Sequence, residues 1–272
     1  DIQELKPEKP DFYLEDKCPI QKKEISLISS KGGKGKSFTA LYIIGELAKL
    51  GLNCFGWFSE DDKGTTKNRF LTICKQNTHL SDANFKIFGK EKRLQSFIKI
   101  DRSGNYEASD FFLEFKKNMK PFDVVIIDPL VSLLCKDENN NIEVRFLMNL
   151  LNEWIEEENK TLIIIHHDGK GDNKSRGAST IVDSVRIHYS LQSIENNSTE
   201  RKLVLEKANH YSGTKKEFII KLFKNEIKPI EILFDTTKEN KPHSKNKEQK
   251  EKPYNKENYD DFLGILETSF GD

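Results

Sequence analysis

One stretch, residues 24–40 (EISLISSKGGKGKSFTA), constrains this chain more than any other: an apolar run, a glycine-rich turn, then Gly35, Lys36 and Ser37 opening a helical pattern. A nucleotide's phosphates need backbone N–H groups pointed inward, an approach that a Cβ obstructs, and Gly32, Gly33 and Gly35 leave it open. Lys36 is placed to reach the β- and γ-phosphates and Ser37 to ligand Mg²⁺, while the following helix adds the partial positive charge of its N-terminus. Ser30, Lys31, Lys34 and Phe38 complete the loop. In the pattern G-x-x-x-x-G-K-[ST] the first glycine falls at Ser30, so the loop departs from it at one position. ATP with Mg²⁺ is the cofactor pair that such a loop calls for.

Around the loop the pattern is strand, turn, helix: a strand at 25–29 and a helix over 36–50 that Gly51 stops. A second strand at 53–58 ends in Ser59, Glu60, Asp61 and Asp62. At the carboxyl end of a parallel strand a carboxylate lies beside the phosphate loop, where it can orient and deprotonate a water, and Glu60 is the candidate. Asp61 and Asp62 read instead as capping residues for a helix over 65–75. Residues 80–120 hold a weaker strand (85–88) and little chemistry.

The run FDVVIID (122–128) reads as a fully buried parallel strand whose terminal Asp128 offers Mg²⁺ an oxygen ligand. Pro129 breaks it, a polar loop follows at 135–141, and an amphipathic helix covers 142–157. Another buried strand (161–165) ends in His166 and His167, either of which can sense a γ-phosphate. No further ligands are spaced to make the pair a zinc site. The loop 168–175, with Lys170 and Lys174 and then Arg176, is a candidate DNA contact and equally a solvated surface loop. Short strands at 185–192, 202–206, 217–222 and 231–234, without helices between them, predict an antiparallel extension of the parallel sheet. The fold class is therefore α/β, a mostly parallel sheet flanked by helices.

The domain reading is an N-terminal arm (1–23), an ATPase domain (24–236), a linker (237–258) and a short amphipathic segment (259–272). The linker has seven lysines, four glutamates and no aliphatic residue, a composition that forms no core. The last segment reads as a docking helix, a contact for a replication protein partner. Basic and acidic residues both number 44, so no global positive field announces a nucleic-acid partner and any such contact is local. The four cysteines are widely spaced, as expected of reduced thiols in a cytoplasmic protein, and no apolar run reaches membrane-spanning length.

The order of these parts is more specific than any one of them. SSKGGKGKS, FSEDD, VVIIDPLVSLL followed by DEN, IIIHH, SRGASTIVDSVR and LEKANH together resemble the RepA-type hexameric replicative helicases of plasmids, within the RecA-like ATPases, over residues 20 to 225. That family also lacks the first glycine of the loop. The resemblance implies Lys36 and Ser37 on the phosphates and Mg²⁺, Asp128 on the metal, Glu60 activating water and His167, rather than His166, sensing the phosphate. It implies Arg186 as an arginine finger inserted into the neighbouring subunit's site, with Lys207 assisting, and single-stranded DNA in a channel lined by the loops 135–141 and 168–175. Two other readings stay open. Lys31, Gly32, Gly33, Lys36 and Ser37 also satisfy the K-G-G-x-x-K-[ST] signature of ParA-type partition ATPases, and an ATP-dependent switch or adaptor without motor activity would share the same loop.

Overall fold

The computed structural model describes residues 9–136, 138, 140–168, 176–194, 197–210 and 217–221. In chain order these form the strand pair β1 (Phe12–Tyr13) and β2 (Ile20–Gln21), then β3 (Ile25–Ser30), α1 (Lys36–Lys49), β4 (Cys54–Phe58) and α2 (Lys63–Cys74). Next come β5 (Lys86–Phe88), the pair β6 (Ile98–Ile100) and β7 (Tyr106–Ala108), α3 (Asp110–Met119), β8 (Val124–Asp128), α4 (Asn141–Glu158) and β9 (Thr161–His167). The described chain closes with α5 (Arg176–Ser184), β10 (Ile187–Ile194), β11 (Asn197–Ala208) and β12 (Glu217–Lys221).

Eight of these strands form one sheet in the order β12-β11-β10-β3-β9-β8-β4-β5. The strands from β10 to β5 are mutually parallel, and β11 and β12 add to the β10 edge antiparallel. This is the mixed sheet that the sequence predicts, although β11 runs well beyond 202–206. It is paired on both sides, and that pairing holds polar residues in extended backbone that their hydropathy alone leaves unmarked. The predicted strand at 231–234, the linker 237–258 and the segment 259–272 lie outside the described residues.

The central strands are apolar on both faces because both faces are covered. Ile28, Val124, Ile126, Ile163 and Ile165 pack under α1 and Phe70 of α2. Leu27, Val125, Ile127, Leu162 and Ile164 pack under α3, α4 and α5, around Trp154. The segment before β3 also contributes to the interior: Cys18 and Ile20 are fully buried in the α1-side cluster. Three helices begin on side-chain caps. Asp62 accepts from Thr65 N–H, Ser109 from Phe112 N–H, and Asn140 from the Ile142 and Glu143 N–H groups.

Candidate functional site

Four neighbouring strands carry the motifs at their carboxyl ends. In sheet order, β3 ends in Ser30, β9 in His167, β8 in Asp128 and β4 in Phe58 just before Ser59 and Glu60. Register fixes their alignment, with Ser30 opposite His167 and Phe58 opposite Asp128. Strands lie about 4.8 Å apart, so groups scattered over more than a hundred residues of sequence meet within a few side-chain lengths.

The phosphate loop joins β3 to α1. Gly33 (φ 70°) and Gly35 (φ 95°) occupy the left-handed region, and Gly35 is the residue from which α1 starts. A Cβ placed on Gly32 or Gly33 would meet no atom within 4 Å, so both glycines border open space on the side from which a phosphate approaches. Lys36 is buried, and its ammonium donates to Ser30 O (2.8 Å), Ser30 Oγ (3.3 Å) and Lys31 O (3.3 Å). Burial pulls its pKa down, while Asp128, Asp168 and Glu60 pull it up.

The same ammonium lies 3.0 Å from His167 Nδ1, and His167 Nε2 lies 3.2 Å from Glu60 Oε1. An ammonium only donates, so His167 accepts at Nδ1, carries its proton at Nε2 and donates to the Glu60 carboxylate. Lys36, His167 and Glu60 thus form one hydrogen-bonded chain from the phosphate loop to the candidate base. Beside it Ser37 Oγ donates to Asp128 Oδ2 at 2.7 Å. Asp128 is buried, which pushes its carboxyl pKa up, and the Ser37 hydroxyl opposes that shift. A hydroxyl and a carboxylate oxygen side by side are the hard donors that Mg²⁺ takes, and the open glycine loop fits a polyphosphate next to them.

The two histidines have opposite surroundings because side chains alternate along a strand. His167 shares a face with Ile163 and Ile165 and so reaches α1 and the loop, whereas His166 shares the opposite face with Leu162 and Ile164. His166 is buried there, and burial lowers its pKa to about 4, so it stays neutral. As a candidate sensor His166 is corrected: strand alternation turns it away from the phosphate loop.

Other candidates are placed differently. Lys34 reaches out of the loop to Ser193 Oγ on β10 (2.7 Å), and Phe38 lies half-buried with the Arg69 guanidinium 5.4 Å from its ring. Arg69 also pairs with Asp61, so Asp61 and Asp62 brace α2 as expected. Arg186 sits at the amino end of β10, where its N–H donates to Ile25 O and its Nε lies 3.6 Å from Glu24 Oε1. That is five residues back along β3 from Ser30, or roughly 17 Å, too far to serve its own loop. Lys207 donates to Val182 O (2.8 Å) and Asp183 O (3.0 Å), in the last turn of α5. It is thereby corrected from a catalytic assistant to a helix-end cap within its own subunit. Lys170 and Lys174 lie outside the described residues, and Arg176 is the first residue of α5.

Glu143 and Ser59 escaped the sequence reading. Glu143 is fully buried in the first turn of α4, and one carboxylate oxygen accepts from Cys135 N–H (2.6 Å) and Lys136 N–H (2.9 Å). It roots the loop that follows β8, and its only signal was an acid at the start of a predicted helix. Ser59 donates through both N–H (2.9 Å) and Oγ (3.1 Å) to Asp128 O, which locks the β4 and β8 tips together.

The fold is shared with solved ATPases. A DnaB-like replicative helicase, solved with its interactions with primase, superposes with a TM-score of 0.58 at 13% identity, covering 75% of this chain and 56% of that one. The flagellar accessory protein FlaH from Methanocaldococcus jannaschii gives 0.56 at 12% identity, covering 79% and 92%. No curated protein matches the sequence significantly. The family model for the AAA domain matches residues 3–173, more than half the chain, and so includes the phosphate loop, Glu60, Asp128 and His167. The chain belongs to the AAA domain family, with the ATPase fold of the replicative helicases.

Proposed function

We propose that this protein is an ATP-hydrolysing ring motor on single-stranded DNA, of the replicative helicase kind, acting in plasmid or mobile-element replication. The observation that carries the reading is the Lys36–His167–Glu60 chain running beside the Ser37–Asp128 pair. It joins a phosphate-binding lysine to a partly exposed carboxylate through one imidazole. Lys36 and the loop N–H groups hold the phosphates; Ser37 and Asp128 hold Mg²⁺, which neutralises charge on them. Glu60, oriented by His167, accepts the proton of the attacking water. Occupation of the loop draws on the Lys36 ammonium and so alters the hydrogen bond that His167 gives Glu60. Arg186 completes the site of the next subunit, where its guanidinium stabilises charge developing on the transferred phosphoryl group. The loop rooted by Glu143, together with Lys170, Lys174 and Arg176, contacts the DNA backbone.

The test is the steady-state ATPase rate with and without single-stranded DNA, beside the mass of the ATP-bound assembly by light scattering. Stimulation by single strands in a ring-sized species is expected. A dimer stimulated only by duplex DNA contradicts the motor and favours a partition ATPase, and slow turnover blind to DNA favours a switch.

A further inference from the structure

The β5 edge of the sheet carries a cleft of about 290 Å³ that the nucleotide chemistry does not use. Trp57 of β4, Phe88 of β5, and Phe111 and Phe115 of α3 form its aromatic wall, and the exposed Lys92 and Arg93 stand at its rim. Glu114 is the one acid among its lining residues. The wall is preformed. Trp57 and Phe88 meet edge to face at 5.2 Å between centroids, and Trp57 Nε1 donates to Lys92 O at 3.1 Å, tying the indole to the rim. Lys63 adds a third cation, 5.7 Å from the centre of the Phe88 ring. The volume lies at the bottom of the range for small-molecule sites, about 300–1,000 Å³, and suits one or two large side chains of a peptide.

Residues 259–272 have the complementary chemistry. Tyr259, Phe262, Leu263, Leu266 and Phe270 recur at helical spacing, while Asp260, Asp261, Glu267 and Asp272 accompany no Lys or Arg. An aromatic, acidic segment thus exists in the same chain as an aromatic cleft rimmed by cations. Their positions are also informative. The described chain leaves the sheet at β12, at one edge, and the cleft lies at the other, seven strand spacings or roughly 34 Å away. A segment leaving one edge and a receptor at the opposite edge make a head-to-tail contact, the kind that closes into rings. We propose that this cleft docks the 259–272 segment of a second copy of the chain.

Docking there would bear on the candidate base. The loop behind Lys92 is bonded to the residues that follow Glu60: Lys90 N–H donates to Asp61 O (2.7 Å), and Glu91 accepts from the N–H groups of Gly89 and Lys63.

The test uses full chains without nucleotide or DNA, so its failure is separate from failure of the motor reading. A labelled peptide of sequence 259–272 is titrated into the full chain carrying Phe262→Asp and Leu266→Asp, whose own segment cannot compete. Saturable binding is expected, weakened at least about tenfold when Lys92→Glu and Arg93→Glu are added on the exposed rim, and weakened by salt. The segment variant and the rim variant, each otherwise complete, are then sedimented separately and mixed. Each alone should be a monomer and the mixture a heterodimer joined by one intact contact. No peptide binding, or binding indifferent to the rim charges, overturns the site. Peptide binding with a mixture that stays monomeric overturns the second copy, assigning the segment to its own cleft.

Discussion

At the carboxyl ends of the parallel strands, Lys36 shares its ammonium between loop carbonyls and an imidazole that leads on to Glu60; at the amino ends, Lys207 commits its ammonium to two carbonyls of α5 and Arg186 leans on Glu24. Both ends hold chemistry of the same kind, a buried or half-buried cation near oxygen acceptors. The difference is what lies beyond the cation. Around Lys36 the partners are side chains that can exchange protons or ligand a metal. Around Arg186 and Lys207 they are a carboxylate and carbonyls that only hold a cation in place. One end is a site in itself, and the other becomes one only against a second subunit.

The largest effect should come from breaking the first end. Lys36→Ala is expected to lower nucleotide affinity or turnover by about 10²–10³-fold, measured by fluorescent-nucleotide titration and phosphate release, because the phosphates lose their charged partner in a dry pocket. Binding that survives unchanged would remove Lys36 from the site.

Acid sharpens the contrast between the two adjacent histidines. His166 has its folded pKa depressed to about 4 by burial, against an ordinary 6.5. Between those values the unfolded chain takes up a proton that the folded chain refuses, so stability falls as pH drops from 6.5 towards 4, by about 3 kcal/mol in all. Urea titrations across that window should show the loss, and His166→Asn should flatten it.

Asp128 has the opposite linkage. Its folded pKa is raised by burial, so its contribution is intact at acid pH and lost as pH rises through the folded pKa. Asp128→Asn should therefore melt higher than the parent at pH 8, with the difference vanishing below pH ~4, while Mg²⁺-dependent turnover falls about 10–100-fold. The smallest effect belongs to the second end. Lys207→Met should cost about 1–2 kcal/mol of stability in chemical unfolding and leave the ATPase rate per folded subunit unchanged. A rate loss at full stability would restore Lys207 to catalysis.

The sequence is most legible where one residue type has one physical reason. Glycines in the loop, an unbroken apolar run ending in Asp128, and Glu60 just past a strand all carried their positions, because backbone approach and strand ends are local properties. His167 against His166 was a matter of strand alternation, readable once the strand is extended to its last residue. What stayed hidden depends on tertiary contact. Lys207 looks like any cation on a strand until β11 pairs with β10 and brings it under α5. Glu143 looks like an ordinary acid in a first helical turn until the loop after β8 folds back on it. The Trp57 cleft needs β4, β5 and α3 together, elements separated by up to about fifty residues of weak pattern.

The central claim is that the site at the carboxyl ends works with Arg186 of a neighbour. The direct measurement is the ATPase rate of Arg186→Ala and Glu60→Ala proteins, separately and mixed. Each alone should bind nucleotide and assemble yet lose turnover, by about 10³-fold for Arg186→Ala, and mixing should restore a fraction of the rate as intact Glu60 meets intact Arg186 across an interface. Arg186→Ala turning over at the parent rate, or mixtures no faster than their components, would contradict the shared site.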